Sequence, residues 1–215
     1  MSTGGIAGPI LFTLVVMICA SLRPGYDHIS YFISELGATG TSKAALMNFA
    51  GFLPTGILIT VFGISLIKFF PKRFLVRTGS VLIIIFGLGI TAAGFFSCDP
   101  GCPRNGSLEN NIHDRLSGLI FLGTATSILL MGIAFRSLPL WRMYWVYSVI
   151  SSFFAYIFLA ALINSLDSYT YTGLWQRLLL LTIFLWTIVI ARNIYKSLAN
   201  GKMIPGSERT SSLAT

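Results

Sequence analysis

Few side chains in this sequence are equipped for chemistry: two histidines, His28 and His113, seven carboxylates and three cysteines. His113 is followed directly by Asp114 and Arg115. His28 lies in the segment Arg23-Pro-Gly-Tyr-Asp-His-Ile-Ser-Tyr-Phe-Ile-Ser-Glu-Leu-Gly37, which also carries Glu35. Glu35 or Asp99 with His113 would make a general acid–base pair of the kind a hydrolase uses. The sequence holds no Gly-x-Ser-x-Gly elbow, phosphate-binding glycine loop or HExxH. With two histidines a three-His metal site is excluded, and no cofactor is implied.

The cysteines of Cys98-Asp-Pro-Gly-Cys102 flank a tight-turn sequence, in which Pro100 fixes φ and Gly101 accepts a positive φ. The turn brings the two thiols together, and a structural disulfide is the favoured reading for an oxidising compartment. A zinc site using Cys98, Cys102 and His113 is the alternative. A redox pair is disfavoured, because the usual redox spacing has two intervening residues. Cys19 reads as a small packing residue.

These residues must be positioned by an unusually apolar chain. Apolar residues make up 54% and charged residues 10%, against about a quarter charged in soluble domains. Six stretches reach the roughly 20 apolar residues a spanning helix needs: 6–22, 45–70, 74–97, 116–135, 143–166 and 173–191. The expected fold is an all-α integral membrane bundle of six transmembrane helices over residues 1–196. A disordered cytoplasmic tail follows over 197–215. Recurrent glycines, among them Gly56 and Gly87, suit close helix packing in lipid.

Net charge is +8, but the bases sit at helix ends and form no stripe with interleaved aromatics, so nucleic acid is not the expected partner. Topology accounts for them better. The loops after the second and fourth helices, together with the tail, sum to +9, and the other three loops to −1. The basic side is therefore expected to be cytoplasmic, with both termini there and the chain in the plasma membrane. His28, Glu35, Asp99, His113, Asp114, Asp167 and Arg177 then share the extracytoplasmic face.

Ile29, Phe32, Ile33 and Leu36 recur at helical spacing, which predicts a short interfacial helix ended by Gly37, with His28, Tyr31 and Glu35 on its other face. Asn110 or Asn111 is the expected cap of the fourth spanning helix, and Asp114 suits its first turn. His113 should share a face with Ser117. A pair between Asp167 and Arg177 would account for both residues without a functional role. Glu35, Asp99 and His113 are expected to converge over the bundle mouth.

Through Tyr31-Phe-Ile-Ser-Glu-Leu-Gly37, Cys98-Asp-Pro-Gly-Cys-Pro103, His113 and Ser117-Gly118, the chain resembles the bacterial and archaeal six-helix membrane family catalogued as domain of unknown function 998. The Ile-Ser-Glu-Leu-Gly segment is also similar, more distantly, to a motif of the FRAG/DRAM/SFK membrane family. The resemblance implies that Ser34, Glu35, Gly37, Asp99 and His113 belong to one recurring outer site, and supplies no reaction. Three functions follow as expectations. The first is an outward-facing pocket, with His28, Ser34, Glu35, Asp99, His113 and Asp114 as candidates, that binds or moves a lipid or small amphiphile. The others are a membrane hydrolase using carboxylate–His chemistry, and an accessory subunit docking a membrane-protein partner.

Overall fold

The computed structural model describes residues 1–201. Six helices in it are long and apolar enough to cross a membrane: α1 Gly4–Ser21, α2 Ala44–Phe69, α3 Phe74–Ala93, α4 Leu108–Phe135, α5 Tyr144–Ser165 and α6 Thr172–Ala199. No strand occurs among the described residues. The sequence reading of an all-helical six-span bundle therefore holds, while most of the expected tail lies outside the described residues. Each helix is apolar on both faces. One face packs inward, and the other leaves large side chains such as Leu14, Phe49, Leu119, Phe153 and Leu181 exposed. A helix apolar all round needs lipid or protein about it, and the outer belt here requires lipid.

Each helix packs chiefly on its neighbours in sequence, and α1 also meets α6, so the six close into a ring. Glycine permits a close approach between α2 and α3. A Cβ on Gly56 would come within 2.5 Å of the Gly87 carbonyl oxygen, and one on Gly87 within 2.5 Å of the Thr60 nitrogen. Residues Met47–Phe52 of α2 widen into a π-helical turn. There Asn48 donates to the Gly37 carbonyl and the Ser97 hydroxyl, both at 3.0 Å.

The two ends of the ring differ. At the basic end Phe69, Phe70, Phe135 and Trp141 are buried and stacked edge-to-face or tilted, with centroids 4.8–5.7 Å apart. These rings form one buried aromatic cluster at that end. Arg73 reaches across to the Ser137 hydroxyl on the same end. At the other end, which carries the Cys98–Cys102 disulfide, the loops fold over the ring.

Two helices extend past their hydropathic limits. α4 begins at Leu108, about two turns before the apolar run opens at Leu116, and α6 continues to Ala199. The extra turns of α4 are polar, yet half of their side chains face protein, and they carry the residues on which the site is built.

Candidate functional site

The segment between α1 and α2 is folded by its own polar groups. The Asp27 carboxylate accepts from the Ile29 and Ser30 main-chain N–H groups, which holds this exposed carboxyl below its ordinary range. The Tyr26 hydroxyl donates to the Phe32 carbonyl at 2.7 Å and accepts from Arg177 at 2.7 Å. The segment lies across the start of α6, whose first N–H groups lack helical partners. Gly173 donates to Ser30 and Leu174 to Ile29. The expected interfacial helix is present only as a four-residue 3₁₀ turn, Ser34–Gly37.

Phe32, Ile33 and Leu36 are buried as their spacing suggested, but Glu35 is buried with them, while Ile29 and His28 are exposed. A packed loop, tied down by hydrogen bonds, replaces the amphipathic surface helix. Glu35 accepts the Phe32 N–H at 3.0 Å and lies 3.7 Å from the Arg23 guanidinium, which also donates to the Glu35 carbonyl at 2.7 Å. Burial pushes its carboxyl up, against the opposing pull of the Phe32 bond, Arg23 and Arg177.

The first turns of α4 hold the segment that follows α3. Ser107, rather than Asn110 or Asn111, is the cap, accepting from the Asn110 N–H at 3.2 Å. The hydroxyl of Ser107 is itself fixed by Asp99, which accepts from both its Oγ and its main-chain N–H. Asn110 is thereby freed for tertiary work. Its Oδ1 accepts the Asp99 N–H at 3.0 Å, and its Nδ2 donates to the Pro103 carbonyl at 2.7 Å and to Asp114 at 3.3 Å. Glu109 accepts the Ser97 N–H at 2.7 Å. The disulfide closes the intervening turn, with Cα atoms 5.1 Å apart, Gly101 at φ +80° and the Cys102 N–H donating to the Asp99 carbonyl. With both sulfurs bonded to each other, the zinc alternative is overturned. Among the described residues no cluster of three His, Cys, Asp or Glu side chains suits a metal.

His113 is buried, and both of its ring nitrogens are engaged. Nδ1 lies 2.7 Å from the Phe96 carbonyl, and Nε2 lies 3.0 Å from the Ser34 hydroxyl. A carbonyl can only accept, so Nδ1 carries a proton, and in the neutral ring Nε2 accepts from Ser34.

A cavity of about 300 Å³ opens beside this pair, between the start of α4, the end of α5 and the start of α6. Ser34, His113, Asp114, Ser117 and Gln176 bring polar groups to its lining, and Phe32, Phe121, Leu159 and Leu162 apolar ones. Arg104, Arg115, Gly118, Ile163 and Tyr169 are exposed at its rim. A smaller void of about 30 Å³ continues inward from Ser34, His113, Ser117 and Gln176 toward Phe12 and Phe52, at the centre of the ring. Gln176 is 6% exposed. Its Oε1 accepts the Ile33 N–H at 2.7 Å.

Of the sequence candidates, Ser34, His113 and Asp114 come together at this cavity, and Ser117 shares the His113 face as expected. Glu35 turns to Arg23 and Asp99 to Ser107, so among the described contacts none of Glu35, Asp99 and His113 hydrogen-bonds another. His28 stacks edge-to-face on Tyr26 and lines a different, largely apolar groove of about 470 Å³ between α1 and α6. Asp167 pairs with Arg104 instead of Arg177, whose guanidinium is taken by Tyr26 and the Tyr31 and Gly173 carbonyls. The sequence reading passed over Gln176 as a site residue. A Gln near the start of a spanning helix, where a buried polar group needs a partner, was the available signal.

Comparison with curated proteins and with solved structures returns no match. The model of a family described as "Protein of unknown function (DUF998)" matches residues 6–193, from the first turn of α1 to the last turns of α6, and the chain belongs to that family.

Proposed function

We propose that this protein binds a lipid or small amphiphile in the cavity beside His113, and that the cavity faces the extracytoplasmic side of the plasma membrane. The observation that carries the reading is the mixed lining of that cavity. Hydrogen-bonding groups from Ser34, His113, Asp114 and Gln176 share it with the apolar side chains of Phe32, Phe121, Leu159 and Leu162. Its volume, about 300 Å³, is at the small end of ligand pockets, which suits a headgroup region and a short length of chain. The buried aromatic cluster at the basic end supports a one-sided pocket over a through-pathway. The orientation draws support from the charge asymmetry and from the disulfide, which persists in oxidising compartments.

Gly118 offers a direct test. It lines the cavity, and a Cβ built there meets nothing within 4 Å. Gly118→Trp should fill the mouth without disturbing the fold. Expected is loss of co-purifying amphiphile in native mass spectrometry and at least ten-fold weaker binding of a fluorescent single-chain amphiphile, with an unchanged melting midpoint. Unchanged binding in a folded Gly118→Trp protein would reject the reading.

A further inference from the structure

We propose that Ser34 is an acyl-accepting nucleophile, with His113 as its general base and the Gln176 amide as the donor to the oxyanion. The substrate class is a carboxylic ester of a membrane amphiphile. The inference rests on the binding reading above and assigns a reaction to the same cavity.

Three observations carry it. Nucleophile and base are in contact, with Ser34 Oγ 3.0 Å from His113 Nε2, which is within the reach a serine needs to lose its proton on attack. The base is oriented by a third group, since His113 Nδ1–H donates to the Phe96 carbonyl at 2.7 Å. That carbonyl enforces the tautomer that leaves Nε2 basic, the role a carboxylate fills in a Ser-His-Asp triad. The third observation is Gln176. Its Oε1 is bound to Ile33, so Nε2 is the free end of a side chain more than nine-tenths buried, and the residue lines the cavity with Ser34 and His113. A serine–histidine bond that only pinned the loop to α4 would need neither an adjoining cavity nor a free amide donor beside it.

The step balances without a metal or redox partner. Ser34 Oγ attacks the ester carbonyl as its proton passes to His113 Nε2, and the carbonyl oxygen becomes an oxyanion bonded by Gln176 Nε2–H. The tetrahedral adduct collapses. The C–O bond to the leaving alcohol breaks, and the alcohol takes the proton from His113, leaving acyl-Ser34. Water then adds to the acyl carbon while His113 accepts one of its protons. Collapse of this second adduct returns the proton to Ser34 Oγ and releases the carboxylic acid. The acyl chain lies along the wall of Phe121, Leu159 and Leu162.

The test uses the full chain in lipid nanodiscs, with a fluorophosphonate probe and the smaller diisopropyl fluorophosphate. Expected is an adduct located on Ser34 by tandem mass spectrometry. Its rate should fall at least 100-fold in His113→Ala and roughly 100-fold in Gln176→Glu, which keeps the acceptor for Ile33 and removes the donor. Ser34→Cys supplies a second readout. Iodoacetamide should alkylate it at pH 6 at least ten-fold faster than the Ser34→Cys/His113→Ala double variant. Failure of both phosphonates to modify Ser34 in cooperatively melting protein overturns the proposal, and so does modification that persists in His113→Ala. Amphiphile binding by Ser34→Ala separates the two readings: retained binding with no adduct on the wild type leaves the pocket and removes the chemistry, whereas absent binding removes the pocket itself.

Discussion

The Gln176 side chain accepts the Ile33 main-chain N–H at 2.7 Å, a bond spanning 143 residues of sequence. It fixes the loop after α1 to the first turns of α6 and sets which end of the amide faces the cavity. Replacing Gln176 with Leu leaves a buried N–H without a partner, which costs about 1–3 kcal/mol. Gln176→Leu should therefore melt at a clearly lower temperature in detergent, and Gln176→Glu should lose less. Equal melting of wild type and Gln176→Leu would show that the bond contributes nothing.

Glu35 gives a pH signature with a definite sign. Its folded carboxyl is raised above the ordinary value by burial, so the folded protein holds this proton to higher pH than the unfolded chain does. This group's share of stability is therefore present below the ordinary carboxyl value and is lost as pH rises through the raised one. Glu35→Gln keeps the acceptor for the Phe32 N–H and carries no charge. Melting midpoints measured from pH 4 to pH 8 should vary less in Glu35→Gln than in wild type, and Glu35→Ala should be the least stable of the three near neutrality.

Close approach of α2 and α3 predicts that small changes there are costly. A methyl group on Gly56 or Gly87 meets main-chain atoms of the facing helix, which cannot yield as a flexible side chain would. Gly87→Ala should lower stability by about 1–3 kcal/mol, whereas Gly118→Ala should be neutral. Steric-trapping or thermal-denaturation measurements in micelles would compare them, and a Gly87→Ala protein as stable as wild type would contradict the packing.

Orientation can be read by labelling. Single cysteines placed near Arg73 and near Asn105, in a background without Cys19, Cys98 and Cys102, should differ in intact cells. The second should react with an impermeant maleimide and the first should not. The opposite pattern would invert the topology and move the cavity to the cytoplasm.

The helices were legible because twenty-residue apolar runs have few alternatives, and five of the six expected starts fall within two residues of the observed ones. The start of α4 was legible only roughly, since a cap at Asn110 or Asn111 sets it three to four residues later than the observed cap, Ser107. Its first two turns are polar, and only tertiary partners, the main chain of residues 96–99 and Ser34, reveal that these side chains face protein. The disulfide was visible in the Asp-Pro-Gly turn. The pairing of Ser34 with His113 was not, because it joins the loop after α1 to the start of α4, 79 residues on. Charge complementarity misled for Asp167, whose exposed partner Arg104 comes from a neighbouring loop, whereas Arg177 satisfies itself on carbonyls and Tyr26.

Sequential packing around the ring bears on how the protein comes into being. Helices delivered to the membrane in order can each settle against the one before, and the meeting of α6 with α1 joins the two most distant spans of the chain. The Ile33–Gln176 bond and the contacts of Ser30 with Thr172 and Gly173 belong to that last encounter. Five inserted helices would therefore hold a serine and a histidine but no finished cavity. Until the final span is released from synthesis, the nascent chain lacks the Gln176 amide that would make this pair useful.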